Sequence, residues 1–304
     1  MNKVKNGIAL FISVVYCYAC FGQQHLIQGK FMLQIQNNVV YILSEDEDDE
    51  YIEKKLLLYD LTNNLIDTLV SNTYNTDVVK VNENEIIYTD GNKIVKYNVM
   101  SKQRESVYQS KSKYLDIIDI MFNNKCYFFV QDYDNFKILL YELKENKETL
   151  LSTFDYKDEL ESTGLLSYYD KNNCYFKLRG ILHSYNFDKK ATLKLDNRYI
   201  YDFVVSKDKI YYVFSNKNNP QNKCLGQIDK NFTNQQIIID NLNYYFWDYL
   251  FIYENTIYVY YSQKNKAYKI INNELLSVSN IPLFKNDKLS ILFIDEKHFR
   301  IDIL

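Results

Sequence analysis

Glycine and proline are scarce in this chain, 7 and 2 among 304 residues. With so few glycines there is no Gly-x-Gly-x-x-Gly turn, no Walker-type phosphate loop and no Gly-x-Ser-x-Gly elbow to expose a nucleophilic serine. Histidine is nearly as rare. His25, His183 and His298 stand apart, with no His-Glu-x-x-His pair, which argues against a zinc hydrolase. Neither sign of charge is in excess: 36 Lys and Arg against 39 Asp and Glu leave a net charge of −3. A nucleic-acid binder carries a marked basic excess, so nucleic acid is not an expected partner. Tryptophan occurs once, at Trp247. Of five cysteines, Cys17 and Cys20 lie in the N-terminal segment, leaving Cys126, Cys174 and Cys224. An odd number implies no full disulfide framework, and all three read as small buried hydrophobes.

What the chain does have is aromatic surface: 30 Tyr and 18 Phe within a 47% hydrophobic composition. Tyr and Phe favour pleated, half-buried backbone, which points to an all-β fold with ample material for a core. About 34 asparagines take the turn positions that glycine and proline vacate, since Asn tolerates positive φ.

The first 22 residues stand apart. Lys3 and Lys5 precede an apolar run, Gly7 to Ala19, and Cys20-Phe21-Gly22 offers small residues before a cut ahead of Gln23. This reads as a cleaved secretory signal on a secreted, periplasmic or cell-surface protein. The run is short of the ~18–20 residues that span a bilayer, so no transmembrane span is expected in the mature chain. A second reading attaches lipid at Cys20. Residues 23–304 then form one domain, taken as a monomer.

Within that domain a unit recurs at intervals of roughly 40–45 residues. An aromatic strand begins at Val39, Ile86, Cys126, Cys174, Ile210, Ile257 and His298. The strand after it carries a Tyr-polar-apolar signature, as in Tyr59-Asp60-Leu61, Tyr97-Asn98-Val99, Tyr141-Glu142-Leu143, Tyr185-Asn186-Phe187 and Tyr268-Lys269-Ile270, with Gly226-Gln227-Ile228 departing from it. A polar turn and a further strand follow. Four short strands per repeat resemble the blades of a β-propeller, in which stacking sheets around a ring buries both faces of each. The resemblance covers residues 30 to 304 and is to the architecture alone. No Gly-His with Trp-Asp pair, no double-Gly kelch signature and no repeated Asp box singles out a functional family. Seven blades are expected, the last incomplete: its hairpin at Leu289 to Leu304 would be closed by the N-terminal segment Gln23 to Gly29.

By analogy with propellers, ligands bind where chain segments enter the innermost strands and where second strands join third. Asp77, Asp116, Asp202 and Asp248 recur at that end, and Trp247 lies beside Asp248, next to Tyr244, Tyr245 and Phe246. Carboxylates gathered at one mouth would suit Ca²⁺ or sugar hydroxyls, or raise one another's pKa for acid–base work. The plainer reading is that each Asp shapes its own turn. The acidic run Glu45 to Glu50 faces the same end but lacks EF-hand spacing, so no cofactor is expected, with Ca²⁺ the ion to test. The loop Ser215 to Lys223 is a further contact candidate. Together these features favour a binding or scaffold module for a protein or glycan. The alternative is a glycan-cleaving hydrolase using two of the carboxylates.

Overall fold

A computed structural model describes residues 24–303 apart from 29–30, 37–38, 47–52, 61–64, 72–77, 83, 111–114, 123–124, 156–166, 196–198, 216–221, 246–247, 254, 262–263, 265, 280, 286–288 and 296–297; for residues 24–55 and 282–303 it describes the backbone alone. The expected signal segment, residues 1–22, lies outside the described residues. Among the described residues no helix is long and apolar enough to cross a membrane.

The described residues form seven four-stranded antiparallel sheets. Their first strands are Phe31–Gln36, Val78–Lys80, Leu115–Phe122, Ser167–Tyr169, Ile200–Val205, Tyr249–Tyr253 and Ile281–Lys285. First strands of neighbouring sheets lie against one another, the first with the second, the second with the third, the fifth with the sixth and the sixth with the seventh, which makes them the innermost. In the second to sixth sheets the second strands are largely buried on both faces. Cys126–Asp132 has six buried residues in a row, and Thr256–Tyr261 has five. Outermost strands such as Glu274–Val278 are mostly exposed. A strand enclosed on both sides must be apolar throughout, which is why the aromatic repeat falls on the second strand.

The core is divided among the gaps between sheets. Leu56 and Leu58 of the first sheet pack on Ile86, Tyr88 and Tyr97 of the second. Phe129 and Leu140 of the third pack on Cys174, Phe176 and Tyr185 of the fourth. Tyr175 and Leu182 of the fourth meet Phe203, Tyr212 and Phe214 of the fifth. Val213 and Leu225 of the fifth meet Val259 and Tyr261 of the sixth, and Tyr258 and Tyr260 of the sixth meet Ile281. Each sheet is thus the lid of its neighbour, and none could bury both faces alone. Cys126, Cys174 and Cys224 are free thiols buried in these gaps.

One expectation about the last repeat needs correction. The closing sheet is not incomplete: it has four strands in the order Gln24–Gln28, His298–Ile303, Leu289–Asp295, Ile281–Lys285. The N-terminal strand does close it, pairing Gln24 with Asp302 and Gln28 with His298. His298, however, opens the third strand and not the second. The true innermost strand, Ile281–Lys285, carries Pro282 and a register shift between Pro282 and Phe284, so it lacks the clean alternation that marks a strand in sequence.

Asparagine does stand in for glycine at turns. Asn146, Asn234, Asn255, Asn272 and Asn273 all have positive φ. Two-residue hairpin loops such as Asn272-Asn273 need it at both positions.

Candidate functional site

The end at which the chain enters the innermost strands carries two groups of polar side chains, both on the fourth to sixth sheets. The first contains two of the expected carboxylates. Asp202 lies on the innermost strand of the fifth sheet and accepts hydrogen bonds from its neighbour Phe203 N (2.8 Å), from Leu250 N of the sixth sheet (3.0 Å) and from the Tyr244 hydroxyl (2.5 Å). The same hydroxyl reaches the Asp248 carbonyl at 2.8 Å. Asp248, 4% exposed, closes its own turn: its carboxylate accepts Tyr245 N at 2.7 Å and its N–H donates to the Tyr245 carbonyl at 3.1 Å. Burial holds the Asp202 carboxyl above the ordinary carboxylate range, and Tyr244, Lys177 and the two backbone donors only partly offset it.

Asp202 acts as a clasp between sheets, and Asp248 fixes the turn that leads into the sixth. Their oxygens already face N–H and O–H donors, and a cation placed there would meet those hydrogens. Among the described residues no three His, Cys, Asp or Glu side chains gather as a metal set. Asp116 occupies the second position of the third sheet's innermost strand, opposite Gln131, and is described for its backbone only. Asp77 and Trp247 lie outside the described residues, as do most of the acidic run and of the loop after Ser215.

The second group includes Ser215 and Lys223, the two ends of the loop that the sequence marks as a contact candidate, and adds Tyr201 and Lys177, which it does not mark. Pairing in the fifth sheet shifts between Ile200 and Asp202, so Tyr201 is the extra residue of a bulge. A bulge re-aims its side chain. The Tyr201 hydroxyl shares a hydrogen bond with Ser215 Oγ (2.8 Å) and accepts one from Lys223 Nζ (2.6 Å), whose ammonium also sits 3.9 Å from the ring centroid. Lys177 Nζ donates to the Tyr201 carbonyl at 2.6 Å. Burial works to raise the Tyr201 phenol, but Lys223 and Ser215 outweigh it and hold the group below the ordinary tyrosine value. Nearby, Arg179 and Gly180 form the two-residue loop of the fourth sheet at φ 57° and 67°, and the Tyr199 ring fills the space beside Gly180. This end of three sheets is therefore rich in basic and phenolic groups, with Asp202 turned into the clasp, Asp248 into its own turn and the exposed Asp240 accepting from Cys224 Sγ. The loop marks Ser215 and Lys223 in sequence, whereas Lys177 at its strand end and Tyr201 within a strand look ordinary there.

No protein-family model and no curated protein matches the chain. Solved structures do. An oligogalacturonate lyase in complex with manganese superposes with a TM-score of 0.54 at 12% identity, covering 93% of this chain and 98% of that one. A chain of a mitotic checkpoint complex superposes with a TM-score of 0.55 at 8% identity, covering 92% and 93%. The fold is a β-propeller. At these identities the likeness carries the propeller and no chemistry, since propellers serve many unrelated functions.

Proposed function

We propose that this propeller is a secreted binding or scaffold module that recognises a protein or glycan bearing acidic groups through the end built by the fourth to sixth sheets. One observation carries the reading. At that end the Asp202 carboxylate is committed to joining two sheets and that of Asp248 to its own turn, while Lys177, Arg179, Lys223, Tyr199 and Tyr201 occupy the strand ends and loops around them. Ammonium, guanidinium and phenol groups recognise anionic and hydroxylated partners by charge-assisted hydrogen bonds and stacking. The lyase likeness supplies an acidic glycan as the first ligand class to try. Secretion rests on the N-terminal segment alone.

A glycan panel containing neutral and uronate-bearing oligosaccharides tests the proposal. The expected result is retention of acidic members, lowered about tenfold or more by Lys223→Met combined with Arg179→Ala. Unchanged binding in that variant overturns the assignment of the surface. Shortening of the oligosaccharides on incubation would favour the hydrolase.

A further inference from the structure

At the opposite end, where third strands turn into outermost ones, the fourth and fifth sheets part to leave a cleft of about 310 Å³. Its walls include Asn173, Ser184, Asn186 and Lys189 of the fourth sheet and Asn231 of the fifth, over an apolar floor of Tyr175, Ala191 and Leu193. We propose that this cleft binds a single sugar residue carrying a carboxylate.

The first argument is a set of polar groups open to the cleft. Ser184 is 4% exposed, lines the cleft and has no hydrogen-bond partner among the described residues. Its hydroxyl opens onto the cleft, so it is available to hydrogen-bond something that enters. Carboxamides stand beside it. Asn186 Nδ2 donates to Asn173 Oδ1 at 2.8 Å, which fixes both amides and leaves each with further capacity. Asn231 accepts from Thr233 through Oδ1 and keeps its NH₂ for a ligand. Fixed amides over an apolar floor match a sugar ring, which offers hydroxyls at its edge and C–H groups on its face.

Charge supplies the second argument. Lys230 lines the cleft but is paired with Asp170 at 3.0 Å, and Asp170 also accepts from the Tyr175 hydroxyl. Lys189 is exposed and its ammonium has no ion-pair partner among the described residues, and the lining contains no carboxylate. Asp188, its neighbour in the turn, acts on Lys125 of the third sheet. Of the two lysines that line the cleft, Lys189 is therefore the one without an ion-pair partner among the described residues. Its volume lies at the lower end of the ~300–1,000 Å³ typical of small-molecule sites, enough for one ring and not an oligomer.

Titration of the purified protein with sodium D-glucuronate, D-glucose and sodium acetate at matched ionic strength, followed calorimetrically, tests this. Glucuronate is expected to bind, and to bind more tightly than either of the others. Ser184→Ala should weaken it about five- to tenfold, and Lys189→Met should weaken glucuronate similarly while leaving glucose unchanged. Lys223→Met, at the other end, should have no effect, which separates this site from the one proposed above. Lys189 is exposed, so its variant tests the site without threatening the fold. No glucuronate binding, or binding untouched by both cleft variants, overturns the proposal. Acetate bound as tightly as glucuronate overturns the sugar, and glucose bound as tightly overturns the carboxylate.

Discussion

At the scale of single residues, the clasp between the fifth and sixth sheets and the bridge between the fourth and fifth should respond to pH in opposite directions. Burial raises the Asp202 carboxyl above 3.8. The folded protein therefore binds this proton more tightly than the unfolded chain, and the stability it contributes, complete below 3.8, is lost as pH rises through the folded value. Asp170 is the reverse. Burial pushes it up, but Lys230 and the N–H groups of Asn172 and Asn173 outweigh burial and hold it below 3.8. Its contribution is present above 3.8 and is lost as pH falls through the lower folded value. Urea unfolding of Asp202→Asn and Asp170→Asn across the acid range should show the first flattening the limb above 3.8 and the second the limb below it. At neutral pH, Asp202→Ala strands the Leu250 and Phe203 N–H donors and should cost about 2–4 kcal/mol. Tyr244→Phe should cost less, and the two losses should not add, because one hydrogen bond is shared between them.

At the scale of the strand, the repeat was legible wherever both faces are buried, and Gly226 shows what a broken repeat means. The strand from Cys126 and its equivalents could be read because double burial forces an unbroken apolar run, and the Tyr97 and Tyr185 positions because those rings fill a gap between sheets. Innermost strands were poorly legible. Two have only three residues, and four carry register shifts, beside Leu33, Ile118, Tyr201 and Leu283, that break the alternation. The same irregularity hid the Tyr201 cluster, because a bulge changes where a side chain points without changing its type. Gly226 replaces the repeated tyrosine for a steric reason. A Cβ there would lie 2.9 Å from both the Tyr212 and Phe214 rings, which occupy the missing side chain's space from the second strand. Restoring the repeat with Gly226→Tyr should thus destabilise the protein by at least about 3 kcal/mol. Adding Tyr212→Ala should recover part of the loss, measured by thermal unfolding of the single and double variants.

For the whole molecule, the decisive element is the one that joins the two ends of the chain. Gln24–Gln28 is the outermost strand of a sheet whose other three strands come from residues 281 to 303. Without it, His298–Ile303 would become an open edge with unpaired N–H and C=O groups, a template for association with other chains. Deleting residues 24–28 should cost several kcal/mol, at about 0.5–1.5 kcal/mol for each lost hydrogen bond, and should promote concentration-dependent aggregation. Connectivity itself should matter little. The pairing is antiparallel, with Gln24 opposite Asp302, so the start of this strand lies beside the C-terminal end of its partner. Joining Gln24–Gln28 directly to Asp302 through a two-residue Asn-Gly turn would keep Gln24 opposite Asp302, the native register, as an ordinary hairpin. If ring closure is what the strand supplies, the transplanted chain should regain most of the stability lost on deletion and stay monomeric by light scattering. A transplant no better than the deletion would mean that the link from Gln28 to Phe31, carrying the chain into the first sheet, is what holds the ring shut.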